Sequence, residues 1–129
     1  VIVVDCAAVV DALTVKAGAQ PLRDRLAIEE LHAPHLLDYE VVSALRGLVL
    51  GGHLGAARAS DALTDFEDLP IQRWEASDAL RRRTLQLGHN LSAYDAAYVA
   101  LAEALDCPLV TRDARLGRSA GHSARVEVV

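Results

Sequence analysis

Four carboxylates, Asp5, Glu40, Asp95 and Asp113, stand where apolar strand or helix patterns begin or end, although they are spread over nearly the whole chain. An acid just past the carboxyl end of a strand, repeated on different strands of a parallel sheet, points into the crevice where open α/β folds bind ligands. Each close pair of ionised carboxylates repels by about 4 kcal/mol at ~4 Å and an effective dielectric of ~20, so convergence calls for protons or a cation. Hard oxygen donors suit Mg²⁺ or Mn²⁺, whereas Zn²⁺ would want His or Cys. Such an ion activates water and neutralises a phosphoryl group in an in-line displacement, so the chemistry expected of the cluster is phosphodiester hydrolysis.

Each acid also has a local explanation. Asp5 and Asp113 follow strands and precede helices, where Asp commonly caps by accepting a backbone N–H. Ser92-Ala93-Tyr94-Asp95 has the spacing of a capping box. Glu40 is different, because it lies inside a helix at the edge of the apolar stripe, flanked by Leu37, Ala44 and Gly47. No basic residue stands three or four positions away. A buried unpaired carboxylate is costly, so Glu40 must reach water or be held by a partner.

The elements that would position these acids follow from apolar periodicity. Val1–Val4 is an all-apolar run rich in β-branched residues, the signature of a strand buried on both faces. A helix follows from about Ala7, and Leu22, Leu26 and Glu29 mark another, with Pro21 in its first turn. The stretch from His32 to Pro34 reads as a second strand. Leu37, Val41, Ala44, Leu45 and Leu48 share one face of a helix over 36–50, ended by Gly51-Gly52 through a left-handed cap. Further helices are expected over 54–68, 75–87 (closed by Gly88) and 92–105, with strands over 70–74, 107–111 and 126–129. Strands alternating with helices, without hairpin dipeptides, predict right-handed crossovers and an α/β fold with a short parallel sheet flanked by helices.

Composition narrows the choices. A chain of 129 residues is the size of one domain, able to bury roughly two-thirds of its unfolded surface, so a single domain over 1–129 is expected. With 52% hydrophobic but only 4% aromatic residues, the core must be built from Ala, Leu and Val. An aromatic stacking platform for single-stranded nucleic acid is excluded on the same ground. Eighteen acidic against 13 basic residues give a net charge of −5, which argues against strong non-specific polyanion binding. A nucleic-acid substrate then requires local arginines, a metal ion, or both. Cys6 and Cys107 lack CxxC or zinc spacing, no signal-peptide pattern opens the sequence, and no apolar run nears the ~20 residues of a membrane span. Reduced thiols and a cytoplasmic, membrane-free location are the expectations. The sequence contains no methionine, so either an initiator was removed or the sequence starts just after it.

The four acidic segments together resemble the PIN-domain ribonucleases, in particular the VapC-type toxins of bacterial toxin–antitoxin pairs. Val3-Val4-Asp5 looks like the first-strand motif, and Glu40-Val41-Val42-Ser43-Ala44-Leu45-Arg46 like the helical glutamate motif. The segment from Ser92 to Ala102 resembles the third acidic motif, and that from Leu109 to Leu116 the fourth. The resemblance runs from the first strand to the last. It implies a three-layer-like PIN domain in which Asp5, Glu40, Asp95 and Asp113 bind Mg²⁺ or Mn²⁺ and Thr111 helps to orient the site. It further implies an endoribonuclease acting on RNA, a homodimer, and inhibition by a cognate VapB-type antitoxin that carries the DNA contact. One departure stands out: the family usually has a small hydroxyl residue after the first Asp, and this chain has Cys6-Ala7.

Among the basic residues, Arg112, Arg115 and Arg118 lie beside the fourth acid and are the candidates for gripping substrate phosphates. Arg81-Arg82-Arg83 cannot form one patch, because consecutive helical residues point about 100° apart. Arg46 lies opposite its helix's apolar stripe, on a face open to a partner or solvent. The five histidines show no HExxH or repeated spacing, which makes a metal-free ribonuclease built on two histidines a weak alternative. Two other classes compete. An inactive or weakly active PIN-fold binding module is suggested by Cys6. An acidic-pocket phosphatase or phosphotransfer protein would need a second Asp two residues after the first, where Ala7 stands.

Overall fold

A computed structural model describes all residues, 1–129. Five parallel strands, β1 (Ile2–Val4), β2 (Leu31–Pro34), β3 (Ile71–Trp74), β4 (Leu109–Thr111) and β5 (Val126–Val128), form one sheet in the order β3-β2-β1-β4-β5. Val3 pairs with His32 on one side and Leu109 on the other, so β1 is the central strand. Burial follows position. β1 and β4 are buried throughout, whereas the edge strands β3 and β5 are only partly covered. The all-apolar β1 is what a parallel sheet covered on both faces requires of its central strand.

The helices are α1 (Cys6–Leu13), α2 (Gln20–Ile28), α3 (Leu36–Leu50), α4 (Ala56–Asp68), α5 (Asp78–Gln86), α6 (Ala93–Leu105) and α7 (Ala114–Gly117). While α7 packs on β4 and β5, the other six fall into two packed groups. One joins α1 to α2, α3 and α4, with α1 against β4 and α3 against β2. The other joins α5 to α6, and α6 lies along β1, β2 and β4. The core between them is Ala, Leu and Val, with Ile2, Phe66 and Tyr98 as its larger members.

Several boundaries differ from the periodicity. The expected helix over 75–87 begins only at Asp78, because the Ser77 side chain accepts from Leu80 N and caps there. It passes into a 3₁₀ turn, Leu87–His89, so Gly88 lies within that turn rather than closing the helix. Glu29 is the C-cap of α2 instead of part of it. At the end of α3 the residue with positive φ is Gly52, at +74°, while Gly51 stays right-handed. No helix is long and apolar enough to cross a membrane, and both cysteines are free.

The strand order carries the functional consequence. From β1 the chain moves outward through β2 to β3 on one side, and β4 and β5 lie on the other. The order therefore reverses between β1 and β4. At such a switch point the loops leaving the two strands part in opposite directions and open a crevice at their carboxyl ends.

Candidate active site

Asp5 and Thr111 occupy the two strand ends that flank this crevice. Asp5 follows β1, is 8% exposed, and accepts from Ala8 N at 2.9 Å, which makes it the N-cap of α1. Its other carboxylate oxygen accepts from the hydroxyl of Thr111, a wholly buried residue that closes β4. The Thr111 hydroxyl in turn accepts from Asp113 N at 2.9 Å. One threonine thus ties the first acid to the backbone of the fourth. Asp5 is a cap, and it is more than a cap.

The electrostatics of Asp5 show what the cap alone does not explain. Burial raises its proton affinity, moving the pKa from 3.8 to about 6. The Thr111 and Ala8 hydrogen bonds work against this rise, and the charges of Asp95 and Asp113 add to it. A carboxylate held by two donors and still raised is one that lacks a counter-charge.

Glu40, on α3, has the partner that the sequence required. The phenol of Tyr98, on α6, donates to Glu40 Oε1 at 2.6 Å. Burial raises the Glu40 pKa, the Tyr98 hydrogen bond opposes the rise, and Asp95 adds to it. Tyr98 is 2% exposed, and burial together with Glu40 drives its own pKa upward, so its phenol remains a donor. Sequence reasoning missed Tyr98. The signal was present, because a residue three positions after Asp95 lies on the same helix face.

At Asp95 the cap and site readings separate. Ser92 Oγ accepts from Asp95 N at 3.1 Å, so the serine caps α6. The reciprocal arm of a capping box would run from the Asp95 carboxylate to Ser92 N, and this bond is absent. The carboxylate is left for the crevice, where it acts on both Asp5 and Glu40.

Asp113 caps the short α7 and is engaged by Arg115, whose backbone N and Nη2 each lie 2.9 Å from a carboxylate oxygen. Arg115 lowers the Asp113 pKa, the reverse of what happens at Asp5. Asp95, Asp113, Arg115 and Arg118 line a polar cleft of about 630 Å³ together with Asn90 and Ser92. Arg112 does not line it. Its Nε pairs with Asp11 at 3.0 Å and its Nη1 donates to the Val129 carbonyl. A larger hollow, about 760 Å³, lies between α5 and α6, but it is mostly apolar and contains none of the four acids.

The remaining candidates separate cleanly. Arg81 pairs with Asp78 and Arg83 with Glu103, so the arginine triplet is divided among different contacts. Arg46 borders an apolar groove between α3 and α4 with Val42, Val49 and Leu50. His32 is buried between Trp74 and Glu30, outside the crevice. Cys6 is half-buried beside Asp5 and Glu40, and burial followed by these charges pushes its thiol up to about 12, so it adds no negative charge.

The donor chemistry of Asp5, Glu40, Asp95 and Asp113 fits a hard divalent ion. Their spacing as the side chains lie is open, since no three His, Cys, Asp or Glu groups stand close enough to hold one. Closure on an ion would need side-chain rotation, with Arg115 already occupying Asp113.

Comparison with known proteins gives the same frame. The PIN domain family model matches residues 2–121. The chain is 47% identical over 128 residues to Ribonuclease VapC1 of Mycobacterium tuberculosis, covering 98% of this chain and 96% of that protein. Among solved structures, PAE2754 from Pyrobaculum aerophilum superposes with a TM-score of 0.71 at 26% identity, covering 98% of this chain and 83% of that one. VapBC2 from Rickettsia felis, bound to a DNA fragment from their promoter, superposes with a TM-score of 0.67 at 12% identity over 98% and 97% of the two chains. At that identity the likeness concerns the fold.

Proposed function

The chain belongs to the PIN-domain family and aligns nearly end to end with a VapC ribonuclease, and from this we propose that it is the toxin of a type II toxin–antitoxin pair, an endoribonuclease dependent on Mg²⁺ or Mn²⁺. The structural observation that carries the site is Asp5, buried at the switch point and joined through the Thr111 hydroxyl to the backbone of Asp113. Asp5, Asp95 and Asp113, with Glu40, are the residues that would hold the ion. Bound there, it supplies a more acidic water and a counter-charge for the phosphoryl oxygens.

The protein's own side chains do the rest. Thr111 fixes the Asp5 carboxylate, and Ser92 takes over the capping of α6 so that Asp95 is free. Arg115 and Arg118 border the cleft and suit the phosphates on either side of the scissile bond. Arg112, paired with Asp11, lies outside the lining of this cleft, so Arg115 and Arg118 are the better placed of the three.

A VapB-type antitoxin and a homodimer belong to the same proposal, with the whole chain acting as one PIN domain. Tyr39, Val42 and Leu50 on α3 are exposed and offer apolar area to such partners. Contact with DNA would come only through the antitoxin, given the net charge of −5. The deciding experiment is RNA cleavage with the termini sequenced. Hydrolysis by activated water should leave a 5′-phosphate and a 3′-hydroxyl and stop in EDTA. A 2′,3′-cyclic phosphate, or cleavage undiminished in EDTA, would refute the ion mechanism, and failure to cut any RNA would favour the binding-module reading.

A further inference from the structure

Tyr98 has no place in a list of metal-binding acids, yet it is the one hydrogen-bond partner of Glu40 in the crevice. Its ring is buried in the core formed by α6 and the sheet, and its hydroxyl reaches from α6 to α3. A buried Tyr hydroxyl needs an acceptor, and at 2.6 Å the bond has the length of a charge-assisted O–H···O⁻ contact. Glu40 otherwise sits half-exposed on a helix with no basic neighbour, where its flexible side chain would favour water.

Occupation of Oε1 by the phenol leaves Oε2 as the oxygen free to bind. The rigid ring also fixes the direction in which that oxygen is offered. Asp95 lies one helical turn before Tyr98, so one face of α6 both contributes an acid and aims the acid of the neighbouring helix.

We propose that Tyr98 is the positioning residue that orients Glu40 toward the ion, an assignment that rests on the ion-dependent reading above. The phenol acts through the Glu40 carboxylate, as groups behind a ligand do when they fix its orientation in advance.

The test is Tyr98→Phe, which keeps the ring and removes one oxygen, compared with wild type, Glu40→Gln and the double variant. Mn²⁺ binding is measured by calorimetry without RNA, and cleavage kinetics separately. Tyr98→Phe should weaken Mn²⁺ binding about ten-fold. It should lower kcat with little change in KM, and excess Mn²⁺ should restore the rate. In the Glu40→Gln background it should have no further effect on ion affinity. Wild-type Mn²⁺ affinity in Tyr98→Phe, or equal losses with and without Glu40, would reduce the phenol to a packing group while leaving the metal reading intact. Absence of Mn²⁺ binding by the wild type would overturn both.

Discussion

Replacement of Asp5 by Asn should make the ion-free protein more stable at neutral pH, the opposite of what loss of a helix cap does. The folded state raises the Asp5 pKa from 3.8 to about 6. At about 1.4 kcal/mol per unit, this corresponds to about 3 kcal/mol of penalty for ionising the group where it is buried. Below 3.8 the carboxyl is protonated in both states and the penalty is absent. Between 3.8 and about 6 the unfolded chain gives up the proton while the folded chain keeps it, so stability falls as pH rises. Above about 6 both states are ionised and the penalty is constant.

Asparagine is neutral throughout and can still accept from Ala8 N. Its amide nitrogen reverses the bond to Thr111, and the mismatch costs about 1 kcal/mol. The variant should therefore exceed wild type by about 2 kcal/mol near pH 7.5, and be level with it or slightly weaker near pH 4. Urea unfolding in EDTA, followed by fluorescence of the single tryptophan, Trp74, measures both proteins. Saturating Mn²⁺ should reverse the order, because wild type gains about 2.7 kcal/mol at ~100 times the dissociation constant and the variant loses that gain. Parallel pH profiles for the two proteins would refute the argument from burial.

Two further substitutions examine the supports around the site. Thr111→Val keeps shape but leaves one Asp5 oxygen and the Asp113 N–H without their partner; urea unfolding should show a loss of about 2–4 kcal/mol, at ~1–2 for each group, together with weaker cleavage. Glu103→Gln tests the ion pair with Arg83, which pulls the Glu103 pKa from 4.5 down to about 2, helped by Ser123. Its stabilisation is present above 4.5 and is lost as pH falls toward 2. Because the Arg83 side chain is 37% exposed, solvent screens most of the pair, so wild type should exceed the variant only slightly near pH 7 and the difference should vanish on acidification, as unfolding at several pH values will show.

Strands and long helices were legible because their apolar periods are strong. Val1–Val4 reads as a buried strand, and Ile2–Val4 forms one with Val1 left exposed, while the stripe from Leu37 to Leu48 admits only a helix. Boundaries were less legible, since caps compete locally. Ser77 wins over Glu75 as the start of α5 through its hydrogen bond to Leu80 N, a choice made by side-chain geometry that periodicity does not encode. Asp5, Asp95 and Asp113 could be picked out near strand and helix ends, and Glu40 by its place inside a helix at the edge of the apolar stripe. Of their partners, Thr111 entered only through the family resemblance and Tyr98 not at all, because Thr111 is 106 residues from Asp5 and Tyr98 is 58 from Glu40. The strand order supplies these contacts, and a sequence period carries no strand order. The same limit explains Arg112, which sequence proximity to Asp113 assigned to the cleft and which Asp11, 101 residues away, holds elsewhere.

The two ends of the acidic crevice are biased in opposite directions, and this bias gives the proposed site its logic. Asp5 is deep, raised and without a cation, whereas Asp113 is shallower, lowered and already neutralised by Arg115. An incoming cation gains most at Asp5, where it relieves a cost that folding has left in place, and least at Asp113, where it must displace a guanidinium. The side chain of Arg115 is 81% exposed, so that exchange is cheap. Once released, Arg115 stands at the cleft rim, free for a substrate phosphate. A guanidinium from a partner protein would find the same gradient and the same unmet charge at Asp5. On the proposed reading a metal ion and the antitoxin would then compete for one property of the fold, a carboxylate buried at a switch point with too few positive charges around it.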